Sequence, residues 1–186
     1  MKYEFPTDFW WGSATSGAQT EGSVAGDGKG DSIWDHWYSK DPNAFFGQVG
    51  PEETSRVYEM YKEDIQLMKQ TGHNTYRTSI QWSRLIPEGT GKINPDAVAF
   101  YNSYIDELIE NDIEPFIGLY HFDMPMAMQE IGGWENKAVV DAYVEHSYQK
   151  MLQAFALNKT VPDASVAKKI LDDMIPVNAP YWPELK

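Results

Sequence analysis

Apolar residues recur along the chain in two patterns. Short apolar runs of strand length lie at Phe9 to Trp11, His73 to Ile80 and Pro115 to Tyr120. Thr, Tyr and Ile enrich the second of them, as strands favour. Between the runs the period becomes helical. Over 52–71, Val57, Tyr58, Tyr61, Ile65 and Met68 form one stripe, with Pro51 at the start, where its missing N–H loses no bond, and Gly72 at the stop. A second helix opens on Asn94-Pro95 and carries Val98, Tyr101, Ile105, Leu108 and Ile109 towards Asn111. Asn136 caps a third helix predicted to reach about Phe155.

Strand followed by helix, three times over, predicts an α/β fold with a parallel sheet and right-handed crossovers. Polar residues gather around the strand ends: Gln19 and Glu21, then Arg77 to Arg84, then His121 and Asp123. That end of the sheet is where α/β folds build their sites. Residues 23–54, rich in Gly and Pro, read as a long irregular excursion of the kind that carries function. The unit structure fills 1–156. Over 157–186 four prolines interrupt the chain, and one short helix at about Ala164 to Met174 is all that the pattern predicts.

Composition narrows the function classes. A chain of 186 residues buries roughly 70% of its unfolded surface. With 42% hydrophobic and 14% aromatic residues it is not a disordered segment. No apolar run reaches the roughly 18 residues a membrane span needs. The first residues lack the apolar core of a secretory signal, and cysteine is absent; together these predict a cytoplasmic protein without disulfides. A balance of 15 basic against 28 acidic residues, net −13, repels polyanions and predicts no nucleic-acid or anionic-membrane partner. His36, His73 and His146 are too scattered to predict a metal site.

Several motifs then agree in order and spacing. They are Phe9-Trp10-Trp11-Gly12-Ser13-Ala14-Thr15, Gln19-Thr20-Glu21-Gly22, Tyr76-Arg77-Thr78-Ser79-Ile80-Gln81-Trp82-Ser83-Arg84-Leu85, Tyr120-His121-Phe122-Asp123-Met124-Pro125 and Gly132-Gly133-Trp134-Glu135-Asn136. On these residues the chain resembles the N-terminal portion of glycoside hydrolase family 1, the β-glucosidases and 6-phospho-β-glucosidases, over about residues 3–150. The resemblance implies an eight-fold (β/α) TIM barrel, of which this chain supplies the first three strand–helix units and an irregular tail. It implies no cofactor, and a retaining hydrolysis by two carboxyls about 5–5.5 Å apart. The family carries its acid/base in an Asn-Glu-Pro motif after the fourth strand. Its nucleophile lies in a Thr/Ile-Glu-Asn-Gly motif after the seventh. Neither motif stands in this chain; the pair Glu135-Asn136 belongs to the third loop.

The resemblance also assigns roles. Gln19 matches a glutamine that grips two sugar hydroxyls, an amide being both donor and acceptor; the plain alternative is a loop cap. His121 matches a sugar-binding histidine, against a satisfied histidine at a strand end. Arg77 matches an arginine that supports the nucleophile's charge. With that carboxylate missing, Arg77 is expected half-buried and unpaired, a costly state. Glu21 and Asp123 as a replacement catalytic pair is the disfavoured reading. Trp82, Trp134 and Phe122, the last standing where many relatives carry Trp, stack on sugars or pack the core. Three expectations follow. The chain is a truncated glycosidase, inactive alone, whose ancestral substrate is a β-glucoside or 6-phospho-β-glucoside. The alternative is a non-catalytic sugar-binding or scaffold module whose tail covers the sheet. The third is self-association through open sheet edges.

Overall fold

The two helical stripes and the strand between them define the framework. The computed structural model of the chain describes residues 3–144. Strand β1 is Gly12–Ala14, followed by a single turn, α1 (Gly17–Thr20). Helix α2 (Ile33–Lys40) and helix α3 (Val57–Gln70) precede β2 (Thr75–Ser79). A short helix α4 (Trp82–Leu85) and a long α5 (Pro95–Glu110) lead to β3 (Glu114–Gly118). Then come α6 (Met126–Glu130) and α7 (Lys137–Asp141). The strands pair in parallel in the order β1-β2-β3, with Ala14 opposite Arg77 and Arg77 opposite Phe116. This is a three-stranded arc of a partial barrel. The far end of the third helix and the short helix at 164–174 lie outside the described residues.

The core lies between the sheet and its helices. α5 buries Ala97, Phe100, Tyr101, Tyr104 and Leu108, and Phe100 meets Tyr58 of α3 at 4.6 Å between ring centroids. The predicted α5 stripe is therefore rotated. Tyr101 and Leu108 hold, but Ile109 is 49% exposed while Phe100 and Tyr104 turn inward to α3. The α3 stripe of Val57, Tyr58, Tyr61, Ile65 and Met68 packs as predicted.

Three element assignments need correction. The predicted strand at Phe9–Trp11 lies three residues later. Phe9, Trp10 and Trp11 are exposed, and the short polar step Gly12–Ala14 pairs instead because Gly12 alone tolerates the approach: a Cβ there would sit 2.1 Å from the Thr75 carbonyl oxygen. Helix α3 opens at Val57 and not beside Pro51. Residues Gly50 to Arg56 are held as turns that accept the Ser23 N–H at the Glu52 carbonyl, 2.9 Å, and Arg56 sits at φ +54°. One free amide of the helix's first turn, Tyr58 N–H, is satisfied by the Glu21 carbonyl at 3.0 Å. Finally, the excursion over 23–54 contains an ordered helix, α2. Ser32 accepts the Trp34 and Asp35 amides while Asp35 accepts the Ser32 N–H, a complete capping box.

Candidate functional site

The loops after β1 and β3 build one side of the site each. Beyond β1 the chain turns at once into α1, because Gly17 lets the backbone press against Ser79: its N–H donates to Ser79 Oγ at 3.0 Å, and a Cβ would stand 2.9 Å from the Ser79 carbonyl oxygen. That turn presents Gln19 on the surface. Ser16 Oγ donates to Gln19 Oε1 at 2.9 Å. The amide is thereby held by a hydroxyl and does not cap a loop backbone group, and its N–H donors have no protein partner among the described residues.

Beyond β3 the chain reaches His121, which is half-buried, and Phe122, which is 65% exposed. The two predicted sugar contacts come together: Gln19 and His121 line one pocket of about 400 Å³, with Trp34, Phe45, Thr54 and Phe122 among its other walls. The segment 121–126 is strapped to the start of α2. Trp34 Nε1 donates to the Phe122 carbonyl, Ile33 N–H to the Met124 carbonyl at 2.9 Å and Met126 N–H to the Asp31 carbonyl at 2.8 Å. Trp34 and Phe45 were not singled out from the sequence; the Ser32-x-x-Asp35 spacing was the available signal, since a capping box announces the helix that carries Trp34.

The two carboxylates weighed as a catalytic pair are both buried and both committed to structure. Glu21 accepts from Arg84 Nε at 2.6 Å, Gln81 Nε2 at 2.8 Å and Tyr101 Oη at 2.8 Å. Arg84, fully buried, also reaches Asp27 at 2.8 Å and the Gly22 carbonyl, and its guanidinium lies over the Tyr58 ring at 4.2 Å. Asp123 accepts the Trp82 N–H at 2.6 Å and the His121 N–H at 2.8 Å. Burial pushes its carboxyl up to about 6; those two N–H bonds act against the rise and the Glu21 charge adds to it.

Arg77 departs from expectation. It is exposed, not half-buried, and its Nη1 donates to the Thr15 carbonyl at 2.6 Å. In this exposed position water solvates the cation and removes the cost of an unpaired buried charge. Trp82 is a core residue, 1% exposed, with Nε1 on the Gly89 carbonyl at 3.1 Å. Trp134 is partly exposed and leans on Trp82, Tyr120 and Tyr143, bonding the Tyr120 hydroxyl at 3.2 Å. Phe122 is the ring that faces the pocket.

The chain holds a second Glu-Asn pair besides Glu135-Asn136. Ile109-Glu110-Asn111-Asp112 stands in the sequence with Asp where the nucleophile motif has Gly. It closes α5 just before β3 begins, so it lies at the opposite end of the strands from Gln19 and His121.

A family model described as Glycosyl hydrolase family 1 matches residues 1–158. The chain is 60% identical over 146 residues to the 6-phospho-beta-glucosidase GmuD of Bacillus subtilis, covering 78% of this chain and 31% of that one. It is 45% identical over 146 residues to Beta-glucosidase A of Acetivibrio thermocellus, covering 78% and 32%. Among solved structures, the family 1 β-glucosidase from Thermotoga maritima superposes with a TM-score of 0.74 at 40% identity, covering 81% of this chain and 34% of that one. Aphid myrosinase gives 0.77 at 36% identity, covering 82% and 33%. The chain thus spans about a third of the length of these relatives. The chain belongs to glycosyl hydrolase family 1.

Proposed function

We propose that this chain carries the sugar-gripping part of a β-glycosidase site and does not cleave glycosides by itself. The observation that carries the reading is the convergence of Gln19 and His121 on one pocket. The Gln19 amide N–H groups donate to sugar hydroxyls. The His121 ring, whose nitrogens have no protein partner among the described residues, holds another hydroxyl on the opposite side. Phe122 supplies an apolar wall for the flat face of the ring. Arg77, exposed, awaits a carboxylate that these 186 residues do not provide.

Retaining hydrolysis needs one carboxyl to protonate the leaving oxygen and a second to attack the anomeric carbon. Glu21 is locked by Arg84, Asp123 by two backbone amides, and Glu110 lies at the wrong end of the strands. Identity of 60% to a 6-phospho-beta-glucosidase, against 45% to a β-glucosidase, favours a 6-phosphorylated glucoside as the sugar of the complete site. The test is incubation of the purified chain with nitrophenyl β-glucoside and its 6-phosphate. No release of nitrophenol above the buffer rate is expected, together with sugar-dependent shifts of the Gln19 and His121 amide resonances. Turnover by pure protein, or an indifferent Gln19 and His121, contradicts the proposal.

A further inference from the structure

Asp123 is a buried group that the sugar reading leaves without work. Its side chain is inaccessible to water, and its two oxygens are divided between two loops. Oδ2 takes the Trp82 N–H at the start of α4, the segment that follows β2. Oδ1 takes the His121 N–H, in the segment that follows β3. Between His121 and Asp123 the backbone of Phe122 sits in the left-handed region at φ +59°, which a bulky side chain does not choose unaided. Asp123 on one side and Trp34, bonded to the Phe122 carbonyl, on the other hold that residue in place.

We propose that Asp123 is a positioning residue for the sugar site: its carboxylate clamps the loop after β3 to the loop after β2, and so fixes where His121 and Phe122 stand in the pocket. The inference rests on the reading of Gln19 and His121 as sugar contacts. The chemistry suits a carboxylate and no other side chain of that length. Both donors are amides, so the group between them must accept twice, and an asparagine would turn its own N–H₂ on one of them. The arrangement is expensive. The titratable groups facing Asp123 are Glu21 from the β1 side and the Tyr120 and Tyr143 hydroxyls; His121 meets it through its backbone N–H. Glu21 is of like charge, and burial leaves the carboxyl titrating at about 6. As the pH falls through that value, protonation takes one oxygen out of good acceptor geometry and the clamp loosens.

The experiment is an NMR pH titration of the 15N-labelled chain from pH 8 to 5, with and without glucose 6-phosphate. The Trp82 and His121 amide protons are expected to move together, with one midpoint near 6 that is absent in Asp123→Asn. Because histidines change charge in the same range, the step is also measured in His121→Gln, where the Trp82 amide must keep it. Ligand affinity is expected to fall about five-fold across the step, the worth of one hydrogen bond of about 1 kcal/mol. Amides that titrate with different midpoints in the wild-type chain, or a Trp82 step that disappears in His121→Gln, overturn the proposal, and neither readout depends on Asp123→Asn folding. If the amides share the step but glucose 6-phosphate shifts neither Gln19 nor His121 at any pH, the sugar reading fails and the clamp stands alone.

Discussion

Arg84 and Glu21 meet at 2.6 Å across 63 residues of chain, both removed from water. This contact joins the segment after β1 to the segment after β2, and the same guanidinium reaches Asp27 at 2.8 Å. Removing one member of a buried charge pair strands the other, at a cost of about 3–5 kcal/mol. Arg84→Met is therefore expected to abolish cooperative unfolding in urea or leave it near its lower limit. Arg84→Lys is expected to recover little, since a single ammonium cannot serve Glu21, Asp27 and the Gly22 carbonyl in their planar fork.

Two buried carboxyls give opposite pH dependence. Burial pushes the Asp27 carboxyl up, but the Lys29 and Val24 amides and Arg84 more than offset it, so it titrates below its ordinary value. Its contribution is present above about pH 4 and is lost as the pH falls through the lowered value. Asp123 is raised to about 6. Between about pH 4 and 6 the folded chain holds a proton there that the unfolded chain releases, so stability falls as the pH rises through that window. Urea unfolding at half-unit steps is expected to show the decline between pH 4 and 6, and Asp123→Asn is expected to remove it while leaving the loss below pH 4. A decline that survives in Asp123→Asn contradicts the assignment.

Gly12 is expected to be irreplaceable for a steric reason. A methyl group at its Cβ position lies 2.1 Å from the Thr75 carbonyl oxygen and 2.7 Å from its Cγ2. Gly12→Ala must push β1 off β2, at the roughly 1–3 kcal/mol of an overpacked site. Amide exchange checks it: the Thr15 N–H, bonded to the Arg77 carbonyl at 2.8 Å, should lose protection before the amides of β2 do.

Arg77 offers the contrasting case. Its bond to the Thr15 carbonyl is exposed, so Arg77→Ala is expected to cost no more than about 1 kcal/mol. A larger loss in chemical denaturation would mean that Arg77 braces the sheet, and its reservation for a catalytic carboxylate would then lose its support.

Much of this arrangement was legible in the sequence, residue by residue. Asn94-Pro95 marked the start of α5, and Asn94 Oδ1 does accept the Asp96 N–H at 3.1 Å. Gln19 and His121 were each named from the motifs, and both line one pocket. What escaped were features set by contacts distant in the chain. Pro51 looked like a helix start, but the Glu21 and Ser23 backbones claim the region around it and delay α3 to Val57. Phe9 to Trp11 looked like a buried strand, yet a strand is chosen by what can pair beside it, and Gly12 could approach Thr75. Arg84 read as one polar residue among several after β2; that it is the most buried cation of the described residues depends on Glu21 and Asp27 arriving from 57 and more positions away.

The central claim, a sugar-gripping half-site without the catalytic carboxyls, is tested most directly by thermal unfolding of the purified chain alone, with glucose and with glucose 6-phosphate. Only ligand bound to the folded state stabilises it. A cooperative transition is expected to rise by about 3–6 °C when the ligand stands at about ten times its dissociation constant, a gain of about 1.4 kcal/mol, and Gln19→Ala is expected to lose that rise while unfolding at the wild-type temperature without sugar. A transition that ignores glucose and glucose 6-phosphate alike, or one too broad to be cooperative, contradicts the account.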